Sequence, residues 1–202
     1  MARHKLVFID VDTQADFMLP GGKLYVPGAE KLLPAIESLR DFAAQHAIPV
    51  LSSTDAHSTD DEEFHDWPTH CVRQAPGQLK VPESLFPNYL VIPRERAAQV
   101  SEEELSRYGQ LIVEKNQLDL FSSAPAEDLV SRLDAEQYIV YGVATEYCVR
   151  LAALGLRKRG RHVLLLTDAI QGIDAAGIES TLKELEDAGA LLATTREIFA
   201  AA

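Results

Sequence analysis

The chain has 202 residues, 47% of them hydrophobic, and a formal net charge of −12, enough apolar material for one substantial core. Its 19 basic residues are outnumbered by 31 acidic ones and are scattered rather than striped, which argues against a nucleic-acid or membrane partner and for a small molecule. The opening run MARHKLVFIDV is too short for a signal-peptide core, and no later run is long enough to span a bilayer, so a cytoplasmic protein with one domain over residues 1–202 is expected.

Short apolar runs suited to strands buried on both faces occur at Leu6 to Val11, Pro49 to Ser53, Leu111 to Glu114, Tyr138 to Gly142, Val163 to Thr167 and Leu191 to Thr194. Between them, Leu32, Leu33, Ile36, Leu39 and Ala43 form a helical stripe, and Val149 to Arg159 and Ala176 to Ala188 also have helical spacing. Gly160 and Gly189 stand where helix stops are expected. The alternation predicts an α/β fold of three layers, helices on both sides of a central parallel sheet of about six strands. The stretch from about Thr54 to Pro93 reads as a long irregular loop, and its Asp60, Asp61, Glu62, Glu63 tetrad as solvated surface.

In such sheets ligands bind at the carboxyl ends of the strands, which singles out Asp12, Asp55, His57, Lys115 and Cys148. With only two cysteines in the chain, a disulfide framework is not expected. In YGVATEYCVRLAALGL, Thr145 is placed to cap a helix whose third residue is Cys148, where the helix dipole would favour a thiolate and an oxyanion. The alternative, a small buried apolar residue, stays open at this point. Cys71, in a loop, is expected to be structural. A thiol that attacks an amide needs a proton carrier for the leaving amine, a role open to Asp12, and a nearby lysine, for which Lys115 is the candidate. Asp55 and His57, two residues apart, present side chains on one side of an extended loop, and His70 can complete a divalent-metal face. His65 and Asp61 are further candidates there. Phe17 and Trp67 can wall an aromatic ligand or serve the core.

Three blocks carry a resemblance: VDTQADFMLPGG at Val11 to Gly22, the run from TDAH at Thr54 to WPTHCV ending at Val72, and YGVATEYCVRLAALGL followed by LLLTDAI. They are similar to the nicotinamidase/pyrazinamidase branch of the isochorismatase-like cysteine hydrolases. The resemblance implies a single isochorismatase-like hydrolase domain with Asp12 as proton carrier, Lys115 as its cationic partner and Cys148 as nucleophile. It places Asp16 as a hydrogen-bonded support. It also implies a cis peptide between Val143 and Ala144, with the Ala144 and Cys148 amides facing an oxyanion. One divalent metal on Asp55, His57 and His70 would orient a heteroaromatic carboxamide; zinc is the first choice, manganese or iron the alternatives. The segment Tyr89 to Gln110 is longer than the family pattern and carries Arg94; Lys115 is preferred because it ends an apolar strand and precedes Leu118-Asp119-Leu120-Phe121-Ser122. A homo-oligomer is expected. The competing functions are a relative acting on another amide, a carbamoyl group or a vinyl ether, and a noncatalytic binding protein on the same fold.

Overall fold

The computed structural model describes residues 3–96 and 99–201. Seven strands form one sheet: β1 His4–Val11, β2 Val50–Asp55, β3 Tyr89–Ile92, β4 Gln110–Lys115, β5 Ala135–Val143, β6 Val163–Gln171 and β7 Leu191–Ala193. The helices are α1 Ala15–Met18, α2 Leu33–Gln45, α3 Glu102–Arg107, α4 Ala124–Arg132, α5 Arg150–Lys158, α6 Ala175–Asp187 and α7 Thr195–Ala201. Strand order is β3-β4-β2-β1-β5-β6-β7 with every neighbouring pair parallel.

The period-2 geometry of the strands sends alternate side chains into two cores. Val7, Ile9 and Val11 of β1 pack with Leu129 and Val130 of α4, Ala152 and Leu156 of α5, and Leu185 of α6. Phe8, between them, points to the other face and packs with Ile36, Leu39 and Ala43 of α2 and Ile198 of α7. Burial on both faces is what makes the central strands continuous apolar runs.

The sheet has one strand more than the six expected. The addition is β3, inside the stretch read as irregular. Its Leu90 packs against the core and Ile92 is buried, while Tyr89 and Val91 are 43% exposed each. A four-residue edge strand with that alternation, closed by Pro93, lacks the continuous apolar signature of its neighbours. The Tyr89 to Gln110 segment thus carries two regular elements, β3 and α3; residues 97 and 98 lie outside the described residues. The helix α3 starts at a capping box, Ser101 with Glu104, which satisfies two of its free N–H groups. Among the described residues no helix is long and apolar enough to cross a membrane.

The topology also places the site. After β1 the chain runs to β2 on one side and later returns to β5 on the other, so a crevice opens beyond the carboxyl end of β1. Gly142 of β5 lets the strands close there: a Cβ at this position would lie 2.0 Å from the Val11 carbonyl oxygen, and its φ is +122°.

Candidate active site

The last residues of β2 and β4, Asp55 and Lys115, are direct partners in the parallel register. Asp55 therefore closes strand β2 itself rather than the loop after it. Asp12 follows β1 with a φ of +49°. Lys115 is 1% exposed; its Nζ hydrogen-bonds Asp55 Oδ1 and lies 2.9 Å from Asp12 Oδ2 and 3.6 Å from Cys148 Sγ. Asp12 Oδ1 accepts from Ser53 Oγ at 2.6 Å, and its buried Oδ2 faces the Lys115 ammonium. Ligand atoms of Asp12, Asp55 and Cys148 all lie within 4.8 Å of one another.

Cys148 does not sit in the expected position of a capped α-helix. Residues Thr145–Val149 form a wide π-type turn that leads into α5, with Ala144 at the cap position and Cys148 fourth. Thr145 makes no capping bond and its hydroxyl is buried without a partner. The peptide between Val143 and Ala144 is cis, as the resemblance implied. Burial pushes the Cys148 thiol well up, Lys115 opposes this, and the Asp12 and Asp55 carboxylates add to it. Burial pushes the Asp12 carboxyl up as well, against the pull of Lys115. Lys115 stays charged because its three neighbours outweigh the burial that disfavours its ammonium.

Beside this cluster, one ligand atom each from Asp55, His57 and His70 lies within 4.8 Å of the others. His57 Nε2 and His70 Nε2 each stand 3.9 Å from Asp55 Oδ2, the oxygen not bonded to Lys115. Backbone pairing aligns the two rings: His57 N–H donates to the Cys71 carbonyl and Arg73 N–H to that of His57. His70 Nδ1 lies 2.7 Å from the Pro68 carbonyl, so Nδ1 donates there and Nε2 presents a lone pair. Both His57 nitrogens are buried without hydrogen bonds, with Nδ1 3.2 Å from Asp61 Oδ2. Orphaned imidazole nitrogens facing a carboxylate oxygen are costly without a further partner. The donor set, two neutral nitrogens and one carboxylate, fits a divalent transition metal. Burial pushes His70 down, towards the neutral ring a metal needs. Burial also opposes charge on His57, but Asp55 and Asp61 outweigh it and raise its pKa, so proton and metal would compete there.

Of the acidic tetrad, Asp61 was a candidate for the metal site as well as solvated surface, whereas Glu63 was read as solvated surface alone. The turn Glu62–His65 folds Asp61 toward His57 and brings Glu63 Oε1 to 3.8 Å from His70 Nε2. His65 is exposed and makes no part of the cluster. Gln14 was also missed: its amide pairs with both backbone groups of Asp55, donating to the carbonyl at 2.9 Å and accepting from the N–H at 2.7 Å. The expected support from Asp16 is present, as its carboxylate accepts from the Lys23 and Cys71 amides. Cys71 is buried in the second core, a structural position.

A cavity of about 250 Å³ opens over these groups, with Cys148, Asp55 and His70 in its lining. Phe17 and Trp67 are both in its wall, joined by Tyr147, whose ring meets Trp67 edge-on at 5.4 Å. Its apolar walls with a few converging polar atoms suit a small, flat, largely apolar molecule.

The Isochorismatase domain model matches residues 6–197. A nicotinamidase of Escherichia coli is 28% identical over 200 residues, covering 91% of this chain and 92% of that one. The pyrazinamidase of Pyrococcus horikoshii in complex with zinc superposes with a TM-score of 0.75 at 27% identity, over 94% of this chain and 99% of that one. PnC1 of L. infantum in complex with nicotinate gives 0.73 at 26% identity, over 95% and 93%. With the family model matching nearly the whole chain and the sheet, switch-point crevice and buried Asp–Lys–Cys cluster described above, the protein belongs to the isochorismatase domain family.

Proposed function

We propose that this protein is a cysteine amidohydrolase that converts nicotinamide, or a similar heteroaromatic carboxamide, to the acid and ammonia. The observation that carries the reading is the position of Cys148 Sγ, 3.6 Å from Lys115 Nζ, in the lining of an apolar cavity that also contains Asp55 and His70. The similarity to nicotinamidases and to a nicotinate complex supports the substrate class.

The sulfur attacks the carbonyl carbon while the proton of the thiol passes to Asp12, both groups lying against Lys115 Nζ, which is 2.9 Å from Asp12 Oδ2 and 3.6 Å from Cys148 Sγ. This is general-base assistance to a nucleophile. The Ala144 and Cys148 amides receive the developing oxyanion. Asp12 passes the proton to the amide nitrogen, the C–N bond breaks, ammonia leaves and a thioester remains. Asp12 then takes a proton from water, the hydroxide attacks the thioester, and the proton returns to sulfur as the C–S bond breaks. Lys115 keeps Asp12 oriented and offsets the negative charge that the cluster carries at each stage.

Asp55, His57 and His70 would hold the divalent ion. When bound, it supplies a Lewis acid that grips a ring nitrogen of the substrate, so that the carboxamide faces the thiol. Zinc is the proposed ion. Phe17 and Trp67 would flank the ring. The test is ammonia release from nicotinamide by metal-loaded protein before and after chelation. Release that disappears in Cys148→Ala and on chelation is expected; none from folded, metal-loaded wild type would shift the reading to another amide.

A further inference from the structure

The mouth of the cavity is held by a group that the reaction above does not use. Glu146 belongs to the same turn as Cys148. Its Oε1 accepts two backbone hydrogen bonds, from Ile173 at 2.9 Å and from Asp174 at 3.1 Å. Its Oε2 is buried with no hydrogen-bond partner. The carboxylate packs so tightly under the loop that a Cβ on Gly172 would lie 2.3 Å from Oε2. Leaving a carboxylate oxygen unpaired is unfavourable, so the arrangement is not explained by local stability alone.

The loop so gripped is a wall of the cavity. Ile173 lines it while remaining 45% exposed, so its side chain is free to meet a ligand in the cavity. On the other side Gln171 Nε2 donates to the Pro27 carbonyl at 3.1 Å, and Val26 and Pro27 line the same cavity. Hydrogen bonds therefore run from the turn that carries the sulfur, through Glu146, to the 171–174 segment and across to the facing loop. Bonds to an ionised acceptor are stronger than neutral ones and resist the conformational entropy of a short loop.

We propose that Glu146 is a positioning residue that fixes the 171–174 segment as the outer wall of the cavity, and that Ile173, held this way, limits the size of the ring admitted. The proposal rests on the amide-hydrolase reading above and deepens it. A wall discriminates by clash only if it cannot recede. The site accordingly admits a single heteroaromatic ring and rejects a fused bicyclic one.

The test combines steady-state kinetics on nicotinamide and quinoline-3-carboxamide with hydrogen–deuterium exchange across residues 171–174. Wild type should prefer the single ring by about 100-fold in kcat/KM, and Ile173→Ala should narrow that ratio about tenfold. Glu146→Ala should raise the nicotinamide KM about tenfold with a smaller loss of kcat, narrow the ratio, and speed exchange at Ile173 and Asp174. Glu146→Gln keeps an acceptor oxygen and should recover most of both readouts. Gly172→Ala disturbs the clamp from the loop side and covers the case in which Glu146→Ala does not fold. An unchanged ratio in Ile173→Ala, a Glu146→Ala loss confined to kcat, or a Glu146→Gln variant as impaired as Glu146→Ala would overturn the proposal. If wild type turned over no carboxamide, the functional reading would fall, and exchange without substrate would still decide the clamp: protection at Ile173 and Asp174 that Glu146→Ala leaves intact refutes it.

Discussion

The protein buries two lysines against aspartates near the end of β1, Lys80 with Asp10 and Lys115 with Asp12, and the two arrangements are built differently. Lys80 Nζ lies 3.1 Å from Asp10 Oδ2 and donates to the Ser53 carbonyl at 3.1 Å. Asp10 also accepts from Thr13 Oγ1 at 2.8 Å and Ser52 Oγ at 2.9 Å. Every strong acceptor in that pair is engaged, and no described cavity includes either residue. Around Lys115 one ammonium is shared among Asp12, Asp55 and the Cys148 thiol, and the cavity adjoins. A saturated buried pair fixes the fold, whereas an unsaturated one retains sites at which a proton can arrive and leave.

The largest effect that would sharpen this contrast is Cys148→Ala, expected to lower kcat by about 10³-fold or more with an unchanged melting temperature. Mass spectrometry of quenched reactions should then find no acyl adduct. Substituting the lysines separates the pairs themselves. Lys115→Met and Lys80→Met should each destabilise by about 3–5 kcal/mol in denaturant titrations, because each strands a buried carboxylate. Only the first should also lose about 100-fold or more in kcat/KM of the folded protein; a comparable loss in Lys80→Met would break the comparison.

Chelation addresses the third buried carboxylate, Asp55, which faces Lys115 with one oxygen and the two histidines with the other. Removing the ion should lower the unfolding free energy by about 3–4 kcal/mol when metal had been present at 100–1,000 times its Kd. Zinc should restore the melting temperature in wild type but not in His57→Ala.

The smallest effect belongs to an exposed pair. Arg73 bonds both oxygens of Glu95 at 2.9 Å and pulls its carboxyl down to about 2. A folded-state value below the unfolded one means that the contribution is full above the ordinary glutamate range. It is lost as pH falls from about 4.3 toward the folded value. Both side chains are solvated, so Glu95→Gln should cost no more than about 0.5 kcal/mol at pH 7. Its stability should decline less than that of wild type on acidification in that window.

The legible parts were those with a local signature. Asp12, Lys115 and Cys148 stood at or just past strand ends and Asp55 and His57 lay two residues apart, while the family resemblance supplied their joint roles and the place of His70. The missed parts depend on packing. β3 escaped because an edge strand is buried on one face over only four residues. Glu63 passed as solvated because a 3-10 turn, not composition, brings it toward His70. Glu146, Gln14 and Ile173 act through partners 27 to 41 positions away, distances at which residue pattern carries no signal.

What the amino-acid sequence by itself determined is the layered α/β architecture and the set of chemical groups brought to one sheet edge. Those follow from hydrophobic periodicity and from the rule that parallel strands deliver their ends to a common crevice. Only the tertiary structure decided which aspartate meets Lys80 and which meets Lys115, and that Cys148 lies buried in a wide turn rather than at the third position of a capped helix. Desolvation and the direction of individual hydrogen bonds set those properties. Both arise from contacts between strands and loops far apart in the chain.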